Sequence, residues 1–176
     1  MNTSILWRNG YQQLGSNIYI GTALNVLQLL SQFSENNLVA AQVLLTHDDL
    51  SDRKRYLNAR STIFNLINNN VIPVINENDT VATDEIRFGD NDRLAALVAQ
   101  VVQADALVLL SDVPGLFDGP PEKVGSKLIS RVDDFAELSK VEIGGTGSAG
   151  VGLGGMTTKV EAARIATSAG IPTIVT

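Results

Sequence analysis

Val71-Ile72-Pro73-Val74-Ile75-Asn76-Glu77-Asn78-Asp79 is the stretch that decides the fold. The apolar run from Val71 to Ile75 does not alternate, which predicts a strand buried on both faces. The polar residues from Asn76 onward mark where the chain leaves the core. The triplet Asn68-Asn69-Asn70 stops a helix carrying Leu57, Ile63, Phe64 and Leu66 just ahead of it. The same helix-then-strand unit recurs on either side. A helix over Ala23–Phe33 ends at Asn36-Asn37 and feeds a strand over Leu38–Leu45; a polar stretch, Thr46 to Arg55, follows. After a loop from Asn76 to Asp90, Asn91 or Asp92 caps a helix with Leu94, Leu97, Val98 and Val101 on one face. Next come a strand over Ala106–Leu110, a turn at Pro114-Gly115, a short helix over Asp133–Ser139, a helix over Thr157–Ser168 and a strand over Ile171–Val175. Alternating helices and continuously apolar strands predict an α/β fold with a parallel sheet covered on both faces. Ligands in such sheets gather beyond the carboxyl ends of the strands. Asn76 to Asp79 and Ser111-Asp112 fall in those places.

Length and composition limit the function. The 176 residues suit one domain, and 44% hydrophobic with 18% charged residues describes a folded chain rather than a disordered one. A formal net charge of −6 argues against a nucleic-acid partner, though not against a nucleotide, which needs only a local patch of amides and a cation or two. There is no Cys, which removes disulfides, thiolate metal sites and thiol nucleophiles together, and a reducing cytoplasm is the expected location. Met1 to Ile20 lacks the layout of a signal peptide. The longest apolar candidate for a membrane span, Ala95 to Leu110, is broken by Gln100, Gln103 and Asp105.

Two clusters carry candidate chemistry. The first is the glycine run Gly144 to Lys159, which contains Gly-x-Gly-x-x-Gly twice. It does not follow a convincing strand as a dinucleotide fingerprint should, and it lacks the Gly-Lys-Ser/Thr of a Walker loop. The alternatives are a flexible solvent loop and a phosphate-binding loop. Lys159, expected in the first turn of the following helix, opposes the helix dipole there, and a bound phosphate would turn that cost into a gain. The second cluster is Asn76-Glu77-Asn78-Asp79 with Gly89-Asp90-Asn91-Asp92. Separately these are polar turns. Together they bring carboxylates and amides to one sheet edge, suited to an ammonium group or to Mg²⁺. Asp112 adds an acid there, although Ser111-Asp112 before Val-Pro-Gly is also ordinary turn chemistry. His47 is the only histidine, so no histidine triad is available; Trp7 and Tyr11 read as packing residues.

Five segments in order carry a resemblance: Leu57 to Arg60, Val71 to Asp79, Gly89 to Asp92, Leu109 to Leu116 and Gly152 to Lys159. On these the chain, from about Gly21 to its end, resembles the glutamate 5-kinases of the amino acid kinase family. The resemblance implies a single domain with a three-layer αβα sandwich around a mainly parallel sheet. It also implies transfer of the ATP γ-phosphoryl group, with Mg²⁺, to the side-chain carboxylate of L-glutamate, the first step of proline synthesis. By position, Asp79 and Asn91 look like the glutamate-binding pair, with Asn76 close by. Ser111 and Asp112 match residues that hold the nucleotide. Leu153, Gly154, Gly155, Met156, Thr157, Thr158 and Lys159 match its phosphate loop. Lys159 is implied as catalytic, and Asp92 as the aspartate that orients catalytic lysines, with Asp90 near enough to compete for that role.

The chemistry agrees with this assignment. A glutamate carboxylate, with a reference pKa of about 4.3, is already ionised at neutral pH and needs no general base. The reaction needs alignment and charge neutralisation instead. The resemblance also sets departures. A Lys-x-Gly-Ser strand and a second glycine-rich turn that open the family have no match in Met1 to Ile20, and the match stops at Thr176 before the family's closing strands. The expectation is a truncated kinase domain with residues 1–20 divergent, strands missing from the sheet centre, and one of two phosphate-facing lysines absent. Such a chain is expected to be inactive alone, whereas the full-length family implies a homo-oligomer. The competing reading is a non-catalytic nucleotide-binding or oligomerising fragment. Uridylate kinases and acetylglutamate kinases fit the Asn-Glu-Asn-Asp and Gly-Asp-Asn-Asp segments less well.

Overall fold

The computed structural model describes residues 4–8, 16–20, 30–81, 91–140 and 155–176. Its organising element is the strand β4 (Val71–Glu77). Successive side chains of a strand face opposite sides, and Val74 and Ile75 are both fully buried. Val74 packs with Leu30, Phe33, Leu38, Ala40 and Ile72. Ile75 joins the larger core with Leu45, Ile63, Leu94, Val98, Leu107 and Ala162. One sheet thus separates two apolar layers. On the Val74 side lies helix α1, described over 30–35. On the Ile75 side lie α3 (Arg53–Asn68), α4 (Asn91–Val102) and α5 (Gly155–Ser168). This is the αβα layering that the unalternating strands predict.

The sheet has six strands in the order β3-β4-β2-β1-β5-β6. These are β1 (Ser4–Arg8), β2 (Ser16–Ile20), β3 (Val39–Leu45), β4, β5 (Ala106–Leu109) and β6 (Thr173–Val175). β3 pairs parallel with β4, β4 with β2, and β5 with β6. Only β1 is reversed: it runs antiparallel to both β2 and β5, with Leu6 opposite Ile18 on one side and Leu107 on the other. The sheet is therefore mixed, and its centre is not empty. Residues 4–8 and 16–20 form a ladder there that satisfies the backbone groups facing the gap between β4 and β5.

Local differences from the sequence reading have local causes. Thr46 to Arg55 is not an irregular lead-in but contains helix α2 (His47–Ser51), opened by a capping box. Asp49 accepts from the Thr46 backbone N–H at 2.7 Å, and the Thr46 hydroxyl accepts from the Asp49 N–H at 3.4 Å. Asp52 then caps α3, accepting from Arg55 N at 2.9 Å. β4 runs two residues past Ile75 because Leu44 and Leu45 of β3 keep pairing with Asn76 and Glu77. The short helix is a 3₁₀ segment, Phe135–Lys140. α5 starts at Gly155, two residues ahead of the predicted start, and β6 at Thr173, two residues behind. The predicted helix over Ala23–Phe33 lies outside the described residues before 30, as does Tyr11; among the described residues no helix is long and apolar enough to cross a membrane.

Four helices end alike. Asn37, Asn70, Gln103 and Gly170 have φ of 56°, 58°, 52° and 79°, the left-handed conformation that closes a helix. After three of them the chain turns back in the same way: Leu38 N donates to Phe33 O, Ala104 N to Ala99 O and Ile171 N to Ala166 O. Asn and Gly tolerate this backbone, whereas Gln does so at a cost. Replacing Gln103→Gly is expected to raise the unfolding free energy by about 0.5–1 kcal/mol. Urea denaturation measures it. A decrease would show that the Arg60 Nη2 to Gln103 Oε1 contact, 3.4 Å long and exposed, outweighs the backbone strain.

Candidate functional site

β4 and β5 run in the same direction, being related through β2 and β1 by one parallel and two antiparallel pairings. The helix α4 that connects them must return across the sheet, so its first turn stands at the carboxyl edge. α5, which leads into β6 parallel to β5, is placed the same way. Two helix N-termini therefore meet the edge where the chain leaves β4 and β5. Aligned peptide dipoles and unpaired N–H groups make such ends favourable to negative charge.

The centre of this edge is an ion pair. Asp92, in the first turn of α4, is fully buried, and Lys159 of α5 is 2% exposed. Lys159 Nζ donates to both carboxylate oxygens, at 3.0 Å to Oδ1 and 3.2 Å to Oδ2. Thr158 Oγ1 donates to Asp92 Oδ2 at 3.1 Å. The helices are also tied farther along, where Gln100 Nε2 donates to Ile165 O at 3.1 Å. Small buried side chains, Ala95, Ala96 and Ala99 on α4 with Ala162 and Ala166 on α5, belong to the same core and suit a close approach of the two helices.

The geometry changes the argument for Lys159. Because α5 begins at Gly155, Lys159 opens its second turn and not its first, so the dipole opposes it less. Asp92 already neutralises it. A phosphate is thus not needed to explain a buried lysine here. It is instead an additional anion for which one Nζ proton and the helix-end amides are suited. Between Asp90 and Asp92, the buried partner of Lys159 is Asp92; Asp90 lies outside the described residues.

The other predicted positions are distributed around this pair. Asn76 ends the buried part of β4 at 4% exposure, and its side chain has no hydrogen-bond partner among the described residues. Asn78 N donates to Leu45 O at 2.8 Å, tying the end of β4 to that of β3, and Asp79 is exposed in the turn that follows. Asn91 is half-buried as the first residue of α4. Ser111 and Asp112 follow β5, with Ser111 N donating to Thr176 O beside the end of β6. The Ser111 hydroxyl and Asp112 Oδ1 are 3.4 Å apart. Met156 and Thr158 are half-buried and Thr157 exposed in the first turn of α5, which Gly155 opens. Leu153 and Gly154 lie outside the described residues. Among the described residues no group of three or more His, Cys, Asp or Glu is placed to hold a metal ion.

The topology adds a position that the sequence reading did not use. Arg8 is the only Lys or Arg within residues 1–20. Because β1 is reversed, Arg8 pairs with Ser16 at the amino edge of the parallel strands, while Ser4 pairs with Ile20 and Leu109 at the carboxyl edge. Strand direction was the missing information, and spacing along the sequence does not carry it.

Removing one partner of a buried ion pair strands the other charge, at a cost of about 3–5 kcal/mol. Asp92→Ala is therefore expected to lower the unfolding free energy by that amount in urea denaturation. The double variant Asp92→Leu/Lys159→Met should recover most of the loss, because it strands no charge. Equal losses for the single and double variants would show that the pair is not charged and buried in solution.

A profile of the amino acid kinase family matches residues 18–176. The chain is similar to the glutamate 5-kinase of Streptomyces coelicolor, at 54% identity over 157 residues, covering 89% of this chain and 42% of that protein. It is similar to the glutamate 5-kinase of Pseudomonas entomophila, at 60% over 148 residues, covering 82% and 39%. The glutamate 5-kinase of Thermobifida fusca is 50% identical over 157 residues, covering 89% and 40%. The chain thus spans about two fifths of the length of the curated relatives it matches. With a family match over most of its length and an αβα sheet bearing the paired helix ends, the chain belongs to the amino acid kinase family.

Proposed function

We propose that this chain forms the nucleotide-phosphate side of a kinase that transfers the γ-phosphoryl group of ATP to the side-chain carboxylate of L-glutamate. The observation that carries the reading is the buried Asp92–Lys159 pair at the meeting of two helix N-termini. In the reaction a glutamate carboxylate oxygen bonds to the γ-phosphorus while the bond from that phosphorus to the β,γ-bridging oxygen breaks. The products are glutamyl 5-phosphate and ADP. Lys159 would neutralise charge on the transferring group, held in place by Asp92. The N–H groups from Gly155 to Thr158 would receive the phosphates. Ser111 and Asp112 would hold the nucleoside end. Asp79 and Asn91 would hold the amino-acid end of glutamate, and the unpartnered buried amide of Asn76 supports a polar ligand at the same edge, since leaving it unpaired costs about 1–3 kcal/mol.

Mg²⁺ fits this edge as an ion arriving with ATP rather than a resident one. Such an ion usually keeps water and phosphate ligands and needs only one or two carboxylates, and Asp79 and Asp112 are exposed here without any larger acidic cluster among the described residues. Bound there, it would neutralise charge on the triphosphate. The likeness to glutamate 5-kinases supports L-glutamate as acceptor.

A second reading, nucleotide binding without turnover, is favoured by one observation. Among the residues whose side chains are described Lys159 is the only buried cation, and Arg8 pairs at the opposite edge of the sheet. Calorimetry with MgATP and trapping of glutamyl phosphate as its hydroxamate separate the two readings. MgATP is expected to bind, and Lys159→Met to weaken it at least about ten-fold, in line with loss of a charged hydrogen bond. Hydroxamate formation that depends on both glutamate and ATP supports the kinase reading; binding without it supports the second. Absence of MgATP binding would remove both.

A further inference from the structure

Thr158 and Lys159 are consecutive in α5, yet both side chains reach the same carboxylate: Thr158 Oγ1 lies 3.1 Å from Asp92 Oδ2, and Lys159 Nζ 3.0 and 3.2 Å from the two oxygens. A carboxylate turns broadly about its last torsion. An ammonium group is a compact point charge with rotatable donors, so a lysine alone neutralises an aspartate without fixing its plane. A hydroxyl on one oxygen supplies what the lysine cannot. Thr is also suited by its β-branch, which restricts its side-chain rotation in a helix. We propose that Thr158 is a positioning residue: its hydroxyl fixes the Asp92 carboxylate, and through it the place at which the Lys159 amino group is presented. On this account the Thr158 side chain acts on the nucleotide through Asp92 and does not need to touch it, a role separate from that of the Thr158 backbone N–H in the phosphate loop that the resemblance implies. Thr157 next to it is exposed.

The inference rests on the reading of this edge as a phosphate site, and the test separates the two. MgATP affinity and urea midpoints are measured on the full chain for wild type, Thr158→Val, Thr158→Ser, Asp92→Ala and Thr158→Val/Asp92→Ala. Thr158→Val is expected to weaken MgATP binding about five-fold, the size of one hydrogen bond, and Thr158→Ser to bind within about two-fold of wild type. With Asp92 already replaced, the Thr158→Val change should have little further effect, because the group it acts through is gone. An equal loss in both backgrounds means direct contact with the nucleotide and overturns the inference, as does no loss in wild type. If the wild-type chain binds no MgATP, the phosphate reading fails, and the urea midpoints decide the inference: non-additive losses support it and additive ones overturn it. If Asp92→Ala does not fold, the NMR signal of the Lys159 ε-methylene group decides. It should move in Thr158→Val and return in Thr158→Ser; no movement in either overturns the inference.

Discussion

A lysine ammonium and an aspartate carboxylate cannot each be buried alone, and in this molecule each is buried only because of the other. Asp92 comes from the start of α4 and Lys159 from the start of α5, so the two helices must meet at one edge of the sheet. The alanines of both helices allow the approach, and the Gln100 to Ile165 bond holds it farther along. The pair gains little as a stabilising device, since apolar residues of similar size would serve as well. What it provides is placement. It holds the Lys159 amino group where two helix N-termini meet, and the unpaired N–H groups of those ends favour an anion.

Much of this was legible in the residues. Val74 and Ile75 carry no alternation because the strand is covered on both faces, and that one fact predicts helices above and below it. Asn37 and Asn70 announce the left-handed ends of their helices, whereas Gln103 adopts the same backbone without announcing it. The Thr46–Asp49 capping box is present in the sequence as a Thr-x-x-Asp spacing inside a stretch that otherwise reads as polar loop. The dipole argument for Lys159 is weakened for a different reason. Its position suggested a charge waiting for phosphate, but a partner 67 residues away in sequence had already met that need. Long-range pairing of this kind has no local signal.

The centre of the sheet was the least legible part. Residues 1–20 carry no recognisable pattern, yet they supply two strands between β4 and β5. Backbone pairing is satisfied by almost any extended segment, so the sequence places little constraint on which segment fills the gap or in which direction it runs. Direction matters for the chemistry. A reversed β1 sends Arg8 to the far edge and leaves Lys159 as the buried cation beside the helix ends. The architecture and the charge arrangement are therefore linked through a strand whose side chains were uninformative.

The central claim is that the Asp92–Lys159 pair organises a phosphate site at the start of α5. A crystal structure of this chain with Mg²⁺ and a non-hydrolysable ATP analogue tests it most directly. The account predicts terminal phosphate oxygens within hydrogen-bonding distance of Lys159 Nζ and of backbone N–H groups between Gly155 and Thr158, with Asp92 still bound to Lys159. Phosphates seated away from the first turn of α5, with Lys159 contacting Asp92 alone, would contradict it.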